Sequence, residues 1–183
     1  MAKQILVPLA DGFEEIEAMT IIDVLRRAGL EVTVAGLAKK ETHGAHGVKV
    51  LADTTLGEVK GRNFDAVVLP GGMPGSERLA GSEDIKALVK RHAAAGKITA
   101  AICAAPWALG ASGVLAGKKV TCYPGFEEKL TSALPQKDRV VVDGPIITSR
   151  GPGTALEFAL KLVEVLVNSK MAGELRSGML VAG

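Results

Sequence analysis

Two hydrophobic periodicities alternate along the chain and predict alternating strands and helices. "KQILVPL" is a short, nearly unbroken apolar run, as expected for a strand buried on both faces. It gives way to "EEIEAMTIIDVLRRAG", where Ile16, Met19, Ile22 and Leu25 recur at helical spacing and Gly29 supplies a C-terminal cap. "LEVTVAGL" follows as a second strand, "GVKVLADTTL" as short extended pieces of a hairpin excursion, and "FDAVVLPGG" as a third major strand. "SEDIKALVKRHAAAG" reads as a helix opened by Ser82, "KITAAIC" as a strand, and "APWALGASGVL" as a helix. "KKVTCY", "DRVVVDG" and "PIITSR" are further strands before a closing helix, "GTALEFALKLVEVLVNS". No linker, repeat or low-complexity tract interrupts this order. The pattern predicts one α/β domain over residues 1–183, a doubly wound and mainly parallel sheet with helices on both faces.

Composition narrows the partners. With 48% hydrophobic and 23% charged residues the chain is globular rather than disordered. A net charge of +2, spread over interspersed signs, and only 3% aromatics argue against a nucleic-acid surface. Ile98–Gly117 carries no charge over twenty residues, but Pro106, Gly110 and Gly113 divide it into strand, turn and helix rather than a membrane span. The six uncharged residues between Gln4 and Asp11 are too few for a secretory signal core. Cys103 and Cys122 cannot make a disulfide framework, so a reducing, cytoplasmic setting is expected.

In a doubly wound sheet, ligands bind beyond the carboxyl ends of the strands. That directs attention to Asp11–Glu17, Pro70–Gly75, Cys103–Pro106 and Gly151–Thr154. Cys103 stands where a strand turns into a helix, flanked by Ala101, Ala104 and Ala105, and a nucleophile on so sharp a turn needs small neighbours. The positive helix end is expected to lower its thiol pKa and make it alkylate faster than Cys122. Gly71 and Gly72 let backbone amides approach a ligand, and the Gly72 and Ala104 amides together suit an oxyanion hole. Of Glu14, Glu15 and Glu17, at least two are accounted for by the helix N-terminus. Glu17, next to the apolar stripe, is the one able to turn into the cleft. A carboxyl beside a thiolate stays protonated and donates to sulfur.

Other motifs carry less. His43 and His46 in "THGAHGV" lack a third ligand nearby in sequence, so a solvated loop is expected there and no metal. "GPGTAL" has Leu156 where a dinucleotide fingerprint needs its third glycine, so no cofactor is expected.

"ILVPLADGFEEIE", "DVLRRAGLEVTVAGL", "VVLPGG", "AAICAAP" and "ITSRGPGTALEFAL" together resemble the ThiJ/PfpI superfamily, in the branch of the Parkinson-associated deglycase and its bacterial relatives. The resemblance spans nearly the whole chain. It implies a flavodoxin-like fold, a homodimer, an oxidisable cysteine at Cys103 and an acidic partner at Glu17. It implies glyoxalase or deglycase activity on methylglyoxal or early glycation adducts, or a redox-responsive chaperone or sensor role for the same cysteine. Arg27 keeps one residue of the family's basic anion-binding region, while His46 falls where an arginine is expected. The protease branch has histidine directly after the cysteine, whereas this chain has Ala104 and so lacks that base. The animal branch has histidine before the proline that follows "KVT"; here it is Tyr123, a weak base at neutral pH, which implies slow glyoxalase turnover.

Overall fold

The computed structural model describes residues 2–181. Strand β1 (Gln4–Leu9) lies in the interior of a seven-stranded sheet, and its alternate side chains go to two separate cores. Ile5, Val7 and Leu9 join one apolar cluster, Leu6 and the following Ala10 the other. The same division runs through β6 (Ala66–Leu69), with Ala66 and Val68 on one side and Val67 and Leu69 on the other. A sheet covered on both faces needs apolar residues of both parities, which is why these strands read as continuous runs.

The sheet is completed by β2 (Glu31–Gly36), β5 (Thr54–Thr55), β7 (Ile98–Ile102), β10 (Val140–Asp143) and β11 (Ile146–Ser149), in the order β10-β11-β7-β6-β1-β2-β5. All neighbours run parallel except β10, which pairs antiparallel with β11. Helices α1 (Glu15–Arg27) and α6 (Ala155–Leu166) cover one face. Helices α2 (Leu56–Val59), α3 (Gly75–Gly81), α4 (Glu83–Ala94) and α5 (Pro106–Ala111) supply the other core. This is the flavodoxin-like α/β arrangement. The chain winds outward from β1 in both directions, so the switch point falls between β1 and β6, where a crevice opens at the strands' carboxyl ends.

Several local expectations hold. Ser82 caps α4 by accepting from the Ile85 amide at 3.3 Å, and Gly29 takes φ +75° just after α1. The hairpin excursion holds in part: β4 (Lys49–Leu51) lies in the expected stretch but pairs with β3 (Glu41–His43) before it, and Thr54–Thr55 joins the main sheet as β5. Others are corrected. Of the predicted α1 stripe, Ile22 and Leu25 are buried, but Ile16 is 58% exposed and Met19 37% exposed, and Ala18, Ile21 and Val24 complete the buried face instead. Both stripes obey helical spacing, and α1 turns the one that can pack against α6 toward the core. "KKVTCY" yields only β8 (Lys119–Val120), which pairs with β9 (Leu134–Pro135) outside the main sheet. The closing helix stops at Leu166, and Asn168 caps a separate α7 (Ser169–Gly178) by accepting from the Met171 amide at 2.8 Å. Among the described residues no helix is long and apolar enough to cross a membrane.

Candidate active site

Cys103 follows β7 directly and takes φ +64°, a left-handed conformation uncommon for a residue with a side chain. Two backbone hydrogen bonds hold it there. Its amide donates to the Ser149 carbonyl at 2.9 Å, and its carbonyl accepts from the Tyr123 amide at 2.8 Å. Ala101, Ala104 and Ala105 are all buried around the turn, as the small-neighbour argument requires. The residue is only 8% exposed and lines a cavity of about 250 Å³ together with Glu14, Gly72, Met73, Ala104, Tyr123, Phe126 and Pro152.

Glu17 approaches from α1 and is completely buried. Its Oε2 accepts from the Gly71 amide at 2.7 Å. Its Oε1 is buried without a regular hydrogen bond. The adjacent group is the Cys103 thiol, close enough that each alters the titration of the other. Burial pushes the Glu17 carboxyl up to about 7, against the pull of the Gly71 amide. Gly71 is where the close approach is made possible. A Cβ there would lie 2.6 Å from the Cys103 Cβ and 2.7 Å from Glu17 Oε2. At Gly72, with φ +93°, a Cβ would lie 2.3 Å from the Glu14 amide nitrogen. Gly71 thus holds the acid, while the amides of Gly72 and Ala104 donate toward the sulfur.

The expected low thiol pKa is corrected. Burial, then the charge of Glu17 and the hydrogen bond to it, push the Cys103 thiol up to about 12, and the two amides only partly offset this. Helix α5 starts three residues later and is six residues long, so its dipole is weak at the sulfur. Two anions side by side in a buried site repel, and the pair therefore keeps one proton between them over a wide pH range. Protonating Glu17 removes its charge from beside the sulfur, so a thiolate here requires a protonated Glu17.

The remaining residues separate. Tyr123 lines the cavity at 46% exposure, with its ring edge-on to Phe126 at 6.5 Å, and no hydrogen bond among the described residues ends on its hydroxyl. His46 is in an exposed loop, as expected, but the fold brings acids to it. Its Nδ1 lies 2.9 Å from Glu15 Oε2 and 3.5 Å from Glu14 Oε2, so the fold brings together three groups that sequence distance kept apart. Burial opposes ionisation of Glu15, but hydrogen bonds from the His46 ring and from the His46 and Val48 amides hold its carboxyl below the ordinary range. The Glu15 hydrogen bond, then the charges of Glu14 and Glu15, raise the His46 pKa. Arg27 is not brought to the cavity. It pairs with Asp23 at 2.6 Å near the end of α1, ten residues beyond Glu17, a rise of about 15 Å. Glu14, Met73 and Pro152 line the cavity from strand-end turns that the sequence marked, without a role of their own assigned to them, and Phe126 lies outside those turns. Glu14 was read from the sequence as one of the acids at the helix start, and the structure makes it the N-cap of α1.

Residues 3–165 match the model of the DJ-1/PfpI family. The chain is 47% identical over 182 residues to Protein DJ-1 homolog B of Arabidopsis thaliana, covering 98% of this chain but 41% of that protein. It spans less than half the length of that relative. The glutathione-independent glyoxalase DJR-1.2 of Caenorhabditis elegans is 39% identical over 180 residues, with 97% of this chain and 95% of that protein covered. Oxidized DJ-1 of Toxoplasma gondii superimposes with a TM-score of 0.95 at 43% identity, covering all of both chains. With the cysteine on its turn, the buried acid beside it and the sheet that brings them together, these matches show that the chain belongs to the DJ-1/PfpI family.

Proposed function

We propose that the protein is a cofactor-independent glyoxalase- or deglycase-type enzyme in which Cys103 attacks the aldehyde carbon of methylglyoxal or the corresponding carbon of an early glycation adduct. The observation that carries this reading is a buried thiol and a buried carboxyl of pKa about 7 side by side beneath an open cavity. An acid titrating near neutral pH is suited to both accept and return a proton. The glyoxalase named among the relatives supports the reaction class.

The steps balance without an external redox partner. The thiol proton passes to Glu17 as the C–S bond forms. The carbonyl π pair moves onto oxygen, where the Gly72 and Ala104 amides meet it, and Glu17 passes the thiol's proton on to that oxygen, giving a hemithioacetal and leaving Glu17 a base again. Glu17 then takes the proton from the first carbon, forming an enediolate, and returns it to the second carbon, while the hydroxyl proton on the first oxygen passes to the second oxygen, leaving a thioester of the 2-hydroxy acid. Water hydrolyses that thioester, releasing lactate from methylglyoxal and restoring the thiol. The first carbon is oxidised and the second reduced.

A homodimer fits the exposed Ile16, Met19 and Val48, which lie on α1 and the neighbouring hairpin. The oxidized relative favours a second reading, in which peroxide converts the Cys103 thiol stepwise to a sulfinic acid and no aldehyde is turned over. Lactate formation from methylglyoxal by reduced wild type and Cys103→Ser separates the two. Saturable turnover lost in the variant supports the enzyme. Selective oxidation at Cys103 without turnover supports the sensor.

A further inference from the structure

Strand β11 reads Ile146, Ile147, Thr148, Ser149, and all four residues are buried. A strand covered on both faces is expected to be apolar throughout, yet this one ends in two consecutive hydroxyl residues with no exposed surface. A hydroxyl buried in this way is costly unless it is hydrogen-bonded. Both are bonded, and to opposite faces of the sheet. Thr148 shares the face of Ile146, in the cluster under α4 and α5, and Ser149 that of Ile147, in the cluster under α1 and α6.

On the first face, Thr148 Oγ1 accepts from the Thr121 amide at 2.9 Å. Two residues further along the same segment, the Tyr123 amide donates to the Cys103 carbonyl at 2.8 Å. That carbonyl and the Ala104 amide belong to one peptide plane, so holding the first also aims the second at the sulfur. On the other face, the Ser149 hydroxyl donates to the Arg139 carbonyl at 2.7 Å and lies 2.6 Å from Thr154 Oγ1. Thr154 Oγ1 accepts from the Gly151 amide at 3.1 Å, in the turn that carries Pro152 to the cavity wall. The two arms meet at that wall, where a Cβ on Gly151 would lie 3.2 Å from the Tyr123 ring. Between them stands the Ser149 carbonyl, which takes the Cys103 amide at 2.9 Å. Neither Thr148 nor Ser149 lines the cavity, so each acts through other groups.

Resting on the catalytic reading above, we propose that Thr148 and Ser149 are positioning residues for Cys103, their hydroxyls bracing its left-handed turn from both faces of the sheet. The brace keeps the sulfur against Glu17 and the Ala104 amide directed at the charge that develops during attack. A misplacement of about 1 Å at such a centre costs a large part of the rate.

Alkylation of Cys103 by iodoacetamide tests the brace without turnover. Of the titratable side chains, Glu17 acts most on the sulfur, and Glu14 acts on Glu17. In the wild type the pair holds one proton above about 7, so the rate should rise with pH to that value and then level off. Thr148→Val keeps the side chain's shape but removes the acceptor. Its profile should lose the inflection near 7 and rise on to about 8.5, as for a free thiol. Its kcat for methylglyoxal should fall about tenfold with KM within about twofold. Thr148→Ser restores the oxygen and should recover the inflection and most of kcat. Ser149→Ala probes the other face and should show the same change of profile with kcat lower by about threefold. It decides the question if Thr148→Val does not fold.

A folded Thr148→Val or Ser149→Ala that keeps the wild-type profile overturns the brace on its face, whatever happens to its Tm. Loss of the inflection in Thr148→Ser as well would show that packing, and not the hydroxyl, holds the turn, and overturns it too. A profile that shifts as expected while the wild type consumes no methylglyoxal keeps the positioning role and removes the catalytic reading.

Discussion

The two cysteines occupy regions that look alike by burial and differ in everything else. Cys103 is 8% exposed and Cys122 2% exposed, and burial is the leading cause that raises both thiols, to about 12 and about 11. Cys122 packs in the apolar cluster under α4 and α5, and the acid that acts on its thiol, Glu127, is exposed and accepts from the Gly125 amide rather than being buried against the sulfur. Cys103 sits on a left-handed turn at the sheet's switch point, with Glu17 beside it, two amides aimed at its sulfur and a cavity above. A buried thiol alone is inert. What distinguishes Cys103 is a proton acceptor that titrates near neutral pH and space for a substrate.

The largest expected effect breaks this comparison at its centre. Cys103→Ser should lower methylglyoxal turnover by about 10³-fold or more, as removal of a nucleophile does. Cys122→Ala should leave it within about threefold, because the loss is one of packing. In the wild type, iodoacetamide should label Cys103 well before Cys122, as peptide mass spectrometry would reveal. Comparable labelling, or equal losses in the two variants, would remove the distinction.

Next in size is Glu17. Glu17→Gln keeps a hydrogen-bond donor for the sulfur but transfers no proton, and kcat should drop about 10²–10⁴-fold. A Gln variant with full activity would exclude Glu17 as the acid–base group.

The same substitution should sharpen the electrostatic side. Glu17 titrates at about 7 in the folded chain against 4.5 for a free side chain, so folding takes up a proton between those values. Its stabilising contribution is present below pH 4.5 and is lost as the pH rises through about 7. The loss is on the order of 3 kcal/mol. Relative to wild type, Glu17→Gln should therefore gain stability between pH 4.5 and pH 8, as urea unfolding at both would show. A difference independent of pH contradicts the assignment.

The smallest effect concerns Tyr123. Its hydroxyl is unengaged at the cavity wall, and Tyr123→His would place a group of pKa near 6.5 there. Turnover of methylglyoxal should rise about tenfold, below the usual range for a well-placed acid–base group. A variant no faster than wild type would mean that Glu17 alone carries the proton.

The sequence by itself determined the alternation of strands and helices, the two-sided burial of β1, β6 and β7, and the sharp turn at Cys103 between small residues. These depend on local periodicity and on neighbours one or two positions away, and both are written along the chain. It also picked out Glu17 and the two glycines, because they stand at strand ends where a doubly wound sheet places its ligands. Only the tertiary structure decided which stripe of α1 faces inward, since Ile16–Met19 and Ala18–Ile21 satisfy the same spacing. It alone joined His46 to Glu14 and Glu15 and left Arg27 at the far end of its helix. It also reversed the expected direction of the thiol's pKa. A helix terminus is visible in sequence, but the removal of water from a thiol and a carboxyl 86 residues apart is a property of packing between distant segments.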